Sequence, residues 1–89
     1  MRLEYIILRN KEFIFQCRNL GARHYEKIAR AISDYGPLTD EQICDYSGVI
    51  RIDLTRSVIS DMKSHGLLQS FRVLVPEKNW HVTKYKINY

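Results

Sequence analysis

Hydrophobic positions follow a helical period through the middle of the chain and a strand-like pattern at its end. Between Ala22 and Tyr35, the apolar residues Tyr25, Ile28, Ala29, Ile32 and Tyr35 recur at three and four, with Lys27, Arg30 and Asp34 opposite. This spacing predicts an amphipathic helix over 22–35 with one face on a core. Gly36-Pro37 stops it, because proline disfavours helix at the residue before it. Thr39 is then a good N-cap, and Gln42 three residues on completes a capping box, which predicts a short helix over Asp40–Ser47. Asp40 and Glu41 complement the dipole of its first turn, Ile43, Cys44 and Tyr46 face inward, and Gly48 suits a left-handed C-cap.

A third helix is predicted over Asp53–His65, capped by Asp53 and closed at Gly66. Leu54, Val58, Ile59 and Met62 share its broad apolar face, with Thr55 within it. Arg56, Ser60, Lys63 and Ser64 cluster on the other, flanked by Ser57. Beyond Gly66, the runs LLQSFRVLV and WHVTKYKINY are rich in strand formers and separated by PEKN, which predicts a β-hairpin.

Residues 1–20 fit two readings. As strands, Leu3, Tyr5, Ile7, Phe13, Phe15 and Cys17 share odd positions, while Arg2, Glu4, Glu12, Gln16 and Arg18 lie on even ones. A connection through Asn10-Lys11-Glu12 would then oppose Tyr5 to Cys17 and Glu4 to Arg18. Ile6, Leu8 and Ile14 break that alternation, and Leu3, Ile6, Ile7, Phe13, Ile14 and Cys17 nearly fit a helix. The hairpin is preferred. In either form the segment carries more apolar surface than an appendage needs, so it either covers the back of the core or pairs two copies of the chain as a homodimer.

Composition narrows the class. Eighty-nine residues, 45% hydrophobic and 27% charged, suit one globular domain whose core needs no metal or disulfide. No apolar run approaches the roughly 20 residues of a membrane span, and MRLEYIILRN does not read as a signal peptide, so a cytoplasmic protein without membrane contact is expected. Cys17 and Cys44 then read as reduced, buried thiols; with His24 and His65 they match no zinc-ligand spacing. There is no phosphate loop, paired-carboxylate arrangement or nucleophile elbow, so neither an enzyme nor a cofactor is expected. Asp61 and His65, four apart, read as a surface pair.

Charge changes the picture more. The net charge is +4, and residues 46–89 carry seven basic against three acidic side chains, so the whole excess lies in that half. Such asymmetry suggests a polyanionic partner. The third helix's outer face of Arg56, Ser60, Lys63 and Ser64 is short, basic and free of acid, which suits a phosphate backbone and base edges. On the hairpin, the tip and outer strand carry Arg72, Lys78, His81, Lys84 and Lys86, suited to phosphate.

The ordered set GPLTDEQICDYSGV, LTRSVISDMKSHGLL and hairpin resembles the winged helix-turn-helix DNA-binding domains, in particular MarR-type regulators and small winged-helix proteins of bacteriophages and mobile elements. The resemblance runs from Ala22 onward. It implies an α+β fold with three helices in a helical core (22–66), a C-terminal wing (67–89) and an N-terminal extension (1–20), all one domain. It further implies sequence-specific double-stranded DNA binding by a small transcriptional regulator, with helix 53–65 in the major groove and the wing on the backbone. Thr39 and Gln42 match phosphate-touching positions of the second helix, and Arg56, Ser57, Ser60 and Lys63 match exposed recognition positions. With Arg51, Thr55, Arg72, Lys78, His81 and Lys84 they make up the candidate DNA contacts. The chain departs from the pattern in the turn Val49-Ile50-Arg51-Ile52-Asp53, one residue longer than usual and unusually apolar, which leaves Arg51 as either a phosphate contact or a turn residue. The alternative is a winged-helix adaptor or inhibitor that binds protein instead, through Arg72, Lys78, Lys84 and the apolar N-terminal segment.

Overall fold

The computed structural model describes residues 3–21, 23–49 and 51–89, so expectations that touch Arg2, Ala22 and Ile50 lie outside the described residues. Among the described residues, four helices precede a hairpin: α1 (Leu3–Gly21), α2 (Arg23–Tyr35), α3 (Asp40–Ser47), α4 (Ile52–Ser64), β1 (Leu68–Val75) and β2 (Trp80–Ile87). The core joins Ile28, Ala29 and Ile32 of α2, Ile43 of α3, and Val58, Ile59 and Met62 of α4 to Leu38, Val49 and Leu68. Each large aliphatic side chain buried there stabilises the fold by about 1.5–3 kcal/mol.

The preferred hairpin at residues 1–20 is not formed; α1 replaces it and raises the helix count from three to four. Phe13 and Cys17 are buried in the common core and Ile14 packs against it. In a strand, Phe13 and Ile14 would point to opposite sides, whereas helical spacing lets 13, 14 and 17 meet the same core. Ile6, Leu8 and Ile14, which break the strand alternation, need no exception in a helix.

The short helix keeps its expected bounds. Thr39 Oγ1 accepts from the Gln42 amide at 3.2 Å, Gln42 Oε1 accepts from the Thr39 amide at 3.0 Å, and Gly48 caps the end in the left-handed region at φ 76°. Tyr46 does not face inward; it is exposed and stacks on Tyr35, with ring centroids 4.6 Å apart. The longer turn is absorbed by starting α4 one residue early. Arg51 is its N-cap, extended at φ −101°, and its side chain makes no capping hydrogen bond. Asp53 therefore does not cap the helix; it lies in the first turn and accepts from Arg51 Nη2 at 2.7 Å. The end of α4 closes on Gly66, left-handed at φ 74°, with the Leu67 amide donating to the Met62 carbonyl at 3.0 Å. His65 is the C-cap rather than the last helical residue.

β1 and β2 pair antiparallel from Leu68↔Ile87 to Val75↔Trp80, around a turn over Pro76–Asn79. Leu38 adds a third rung that no sequence pattern announces. Its amide donates to the Tyr85 carbonyl at 3.1 Å, and the Tyr85 amide donates back at 2.7 Å. β2 thus runs between Leu38 and β1, and β1 is the outer strand. Lys84 and Lys86 stand on the inner strand, contrary to their expected place at the outer edge. The order α2, Leu38 rung, α3, α4 and hairpin is that of a winged helix-turn-helix, preceded here by α1. Among the described residues, no helix is long and apolar enough to cross a membrane.

Candidate nucleic-acid interface

α4 buries Thr55, Val58, Ile59 and Met62 and so turns its opposite side outward. At 100° per residue, Asp53, Ser57, Ser60 and Ser64 lie along the centre of that outer side. Arg56 and Lys63 form its flank toward the wing, where Asp40, Arg56, Ile59, Ser60, Lys63 and Tyr85 line a shallow recess. The other flank carries Asp61: Tyr25 Oη donates to Asp61 Oδ2 at 2.7 Å, and this hydrogen bond, with desolvation, raises the phenol's pKa above its ordinary value.

Thr55 does not belong to this surface. It is 0% exposed, and its hydroxyl donates to the Arg51 carbonyl at 3.1 Å, leaving nothing to offer a ligand. Ser57, Ser60 and Lys63 are exposed as expected. Arg51 is exposed and held by Asp53. That hydrogen bond from Arg51 is the largest of the influences that lower the Asp53 pKa.

Arg56 has a partner the chain order hides. Its Nε donates to Asp40 Oδ2 at 2.8 Å, while Asp40 Oδ1 accepts from the Glu41 amide at 2.8 Å. The carboxylate, through this hydrogen bond first and its charge second, raises the guanidinium's pKa further. Thr39 and Gln42 sit beside this pair, but their oxygens are committed to the capping box, so Gln42 keeps only its amide N–H groups for a ligand. Asp40, Glu41 and Asp45 make α3 wholly acidic. The outer side of α4 is therefore a serine strip that begins at the Arg51–Asp53 pair, with Arg56 and Lys63 on its wing flank and an acidic edge on α3.

Strand alternation and register divide the wing residues. Ser70, Arg72 and Leu74 share a face with Tyr85, Thr83 and His81, and Tyr85 joins this face to the α4 recess. Lys84 and Lys86 lie on the reverse face with Phe71; Lys84 is half-buried, and Lys86 Nζ stands 5.5 Å over the Phe71 ring. Lys78 reaches back over the exposed Trp80 ring at 5.1 Å. The structure therefore brings Arg56, Ser60 and Lys63 together beside Tyr85, sets His81 across a groove from Thr39, Asp40 and Glu41 at the start of α3, and leaves Lys84 on the reverse face of the wing. Burial raises the Tyr85 phenol's pKa, with the Asp40 charge adding to it.

Among the described residues, no group of three or more His, Cys, Asp or Glu side chains is placed to hold a metal ion. Cys17 is buried at 0% exposure, and burial pushes its thiol up to about 12.

No family model matches the chain. It is similar to Transcription factor E of Cenarchaeum symbiosum, at 31% identity over 67 residues, covering 75% of this chain and 39% of that protein. It is also similar to Transcription factor E of Thermococcus kodakarensis, at 25% identity over 73 residues, covering 82% of this chain and 39% of that protein. The chain thus spans about two fifths of the length of the curated relatives it matches.

Proposed function

We propose that this chain is a double-stranded DNA-binding module acting in transcription. It lays the serine-rich outer side of α4 in the major groove and the Arg72 face of the wing along the adjacent backbone. The observation that carries this reading is the recess of Arg56, Ser60 and Lys63 on α4, which is also lined by Tyr85 from the wing face that carries Arg72. Short hydroxyl side chains let a helix approach base edges closely, and flanking cations supply the phosphate attraction. Similarity to Transcription factor E supports a role in transcription. Recognition is sequence-specific, with the serines and Arg56 reading bases and Lys63, Arg72 and His81 holding phosphates. Electrophoretic retardation of a labelled duplex by the whole chain tests this. A retarded complex that double mutation of Lys63 and Arg72 abolishes supports it, and free duplex at every protein concentration refutes it.

A second feature bears on assembly. The outward face of α1 carries Leu8 and Phe15, 64% and 62% exposed, between charged neighbours. They lie two helical turns apart, about 10 Å along the axis. A second copy of the chain is the occupant that fits. In an antiparallel pair about a two-fold axis between Lys11 and Glu12, Leu8 of one copy meets Phe15 of the other. Lys11 meets Glu12, and Tyr5 meets Arg18. Each apolar group and each charge finds its complement in the same helix, as an isologous interface requires. A chain that captures another protein through this face but never binds duplex DNA would establish the adaptor reading instead.

A further inference from the structure

We infer that Asp40 is a positioning residue that aims Arg56 at a guanine edge in the major groove, which makes the Asp40–Arg56 pair a base-reading unit rather than a phosphate contact. The inference rests on the DNA-binding reading and deepens it. Asp40 is itself fixed, because Oδ1 accepts from the Glu41 amide at the start of α3 and Oδ2 accepts from Arg56 Nε, both at 2.8 Å. The guanidinium is planar, so holding Nε sets the plane and direction of the whole group. Nη1 and Nη2 have no hydrogen-bond partner among the described residues, and the side chain remains 57% exposed.

Two arguments choose guanine over phosphate. The pair is nearly neutral, and the Asp40 carboxylate, with Glu41 beside it, repels an incoming phosphate. A guanine edge is uncharged and offers two acceptors, O6 and N7, spaced for the two terminal nitrogens of an arginine. Lys63 and Arg72, which have no ion-pair partner among the described residues, keep the free charge that phosphate contacts need. The arrangement ties a cation on the flank of α4 to a carboxylate of the acidic α3 edge. A fixed side chain gives up little rotamer freedom on binding, so its hydrogen bonds discriminate more sharply.

The test compares wild type, Arg56→Ala and Asp40→Asn by competition binding. The ligands are a duplex selected from a random pool, its single-base-pair variants and an unrelated duplex. Asparagine keeps the acceptor for the Glu41 amide, and thermal melting checks that each variant folds. Wild type should prefer a G·C pair at one position by about fivefold or more. Arg56→Ala should erase that preference. Asp40→Asn should weaken the same preference and no other, while its affinity for the unrelated duplex rises. If Asp40→Asn strengthens all duplexes alike and keeps the G·C preference, Asp40 only masks charge and the inference is overturned. A selected site with no guanine preference that depends on Arg56 also overturns it and leaves DNA binding standing. Absence of duplex binding by wild type removes both.

Discussion

α1 and α4 pack on the same core yet show the solvent opposite outer faces. α4 sets Ser57, Ser60 and Ser64 outward with Arg56 and Lys63 beside them, while α1 sets Leu8 and Phe15 outward among charged residues. A face of short hydroxyls is at home in water and costs little to bring against a polar groove. An apolar face loses roughly 25 cal/mol for every Å² left in water, so it gains most when another apolar surface covers it. The two outer faces therefore suit different partners, and the proposals above assign nucleic acid to α4 and a second copy of the chain to α1.

The sharpest contrast lies within α1. Phe13→Ala empties a site that is 3% exposed and should lower unfolding free energy by about 3–5 kcal/mol in urea titration. Phe15→Ala, on the opposite face, should change the dilute monomer's stability by less than ~0.5 kcal/mol. Equal effects at the two positions would show that α1 has no distinct inner and outer face. For the outer face alone, changing Leu8 and Phe15 together to glutamate should convert a sedimenting dimer to monomer without lowering the melting temperature at low concentration. A wild-type chain that stays monomeric at high micromolar concentration would remove the self-pairing proposal.

On the nucleic-acid side, Arg72→Ala should weaken every duplex several-fold and reduce the salt slope by about one. Lys84→Ala, on the reverse face, should change affinity much less; the opposite ranking would reassign the wing's contact face. A smaller effect concerns pH. Burial raises the Cys17 thiol from 9.0 to about 12, so above pH 9 the unfolded chain releases a proton that the folded chain retains. Cys17's contribution is full below pH 9 and is lost as pH climbs toward 12. The stability gap between wild type and Cys17→Ala should narrow across that window, and a constant gap would show that the thiol titrates normally when folded.

These contrasts also show what the chain's pattern reveals. α3 was legible to the residue, since Thr39, Gln42 and Gly48 act on their near neighbours and the cap is a local matter. α4 and the wing were legible within a residue or two, because each has one buried side and one period. α1 was misread for the converse reason. Apolar residues on both of its faces blur the period, and the burial of Phe13 and Cys17 depends on a core assembled from distant segments. The Leu38–Tyr85 rung and the Arg56–Asp40 pair join residues 47 and 16 positions apart, and neither leaves a local pattern. Thr55 looked available because its residue type suits DNA, but its place in the apolar face decided its burial.

Fluorescence anisotropy of a duplex bound by the whole chain, titrated against salt, tests the DNA-binding claim at its root. If Lys63, Arg72 and His81 hold phosphates, the logarithm of affinity should fall linearly with that of salt concentration, with a slope of about −2 to −3. No binding at low salt, or an affinity indifferent to salt, would contradict it.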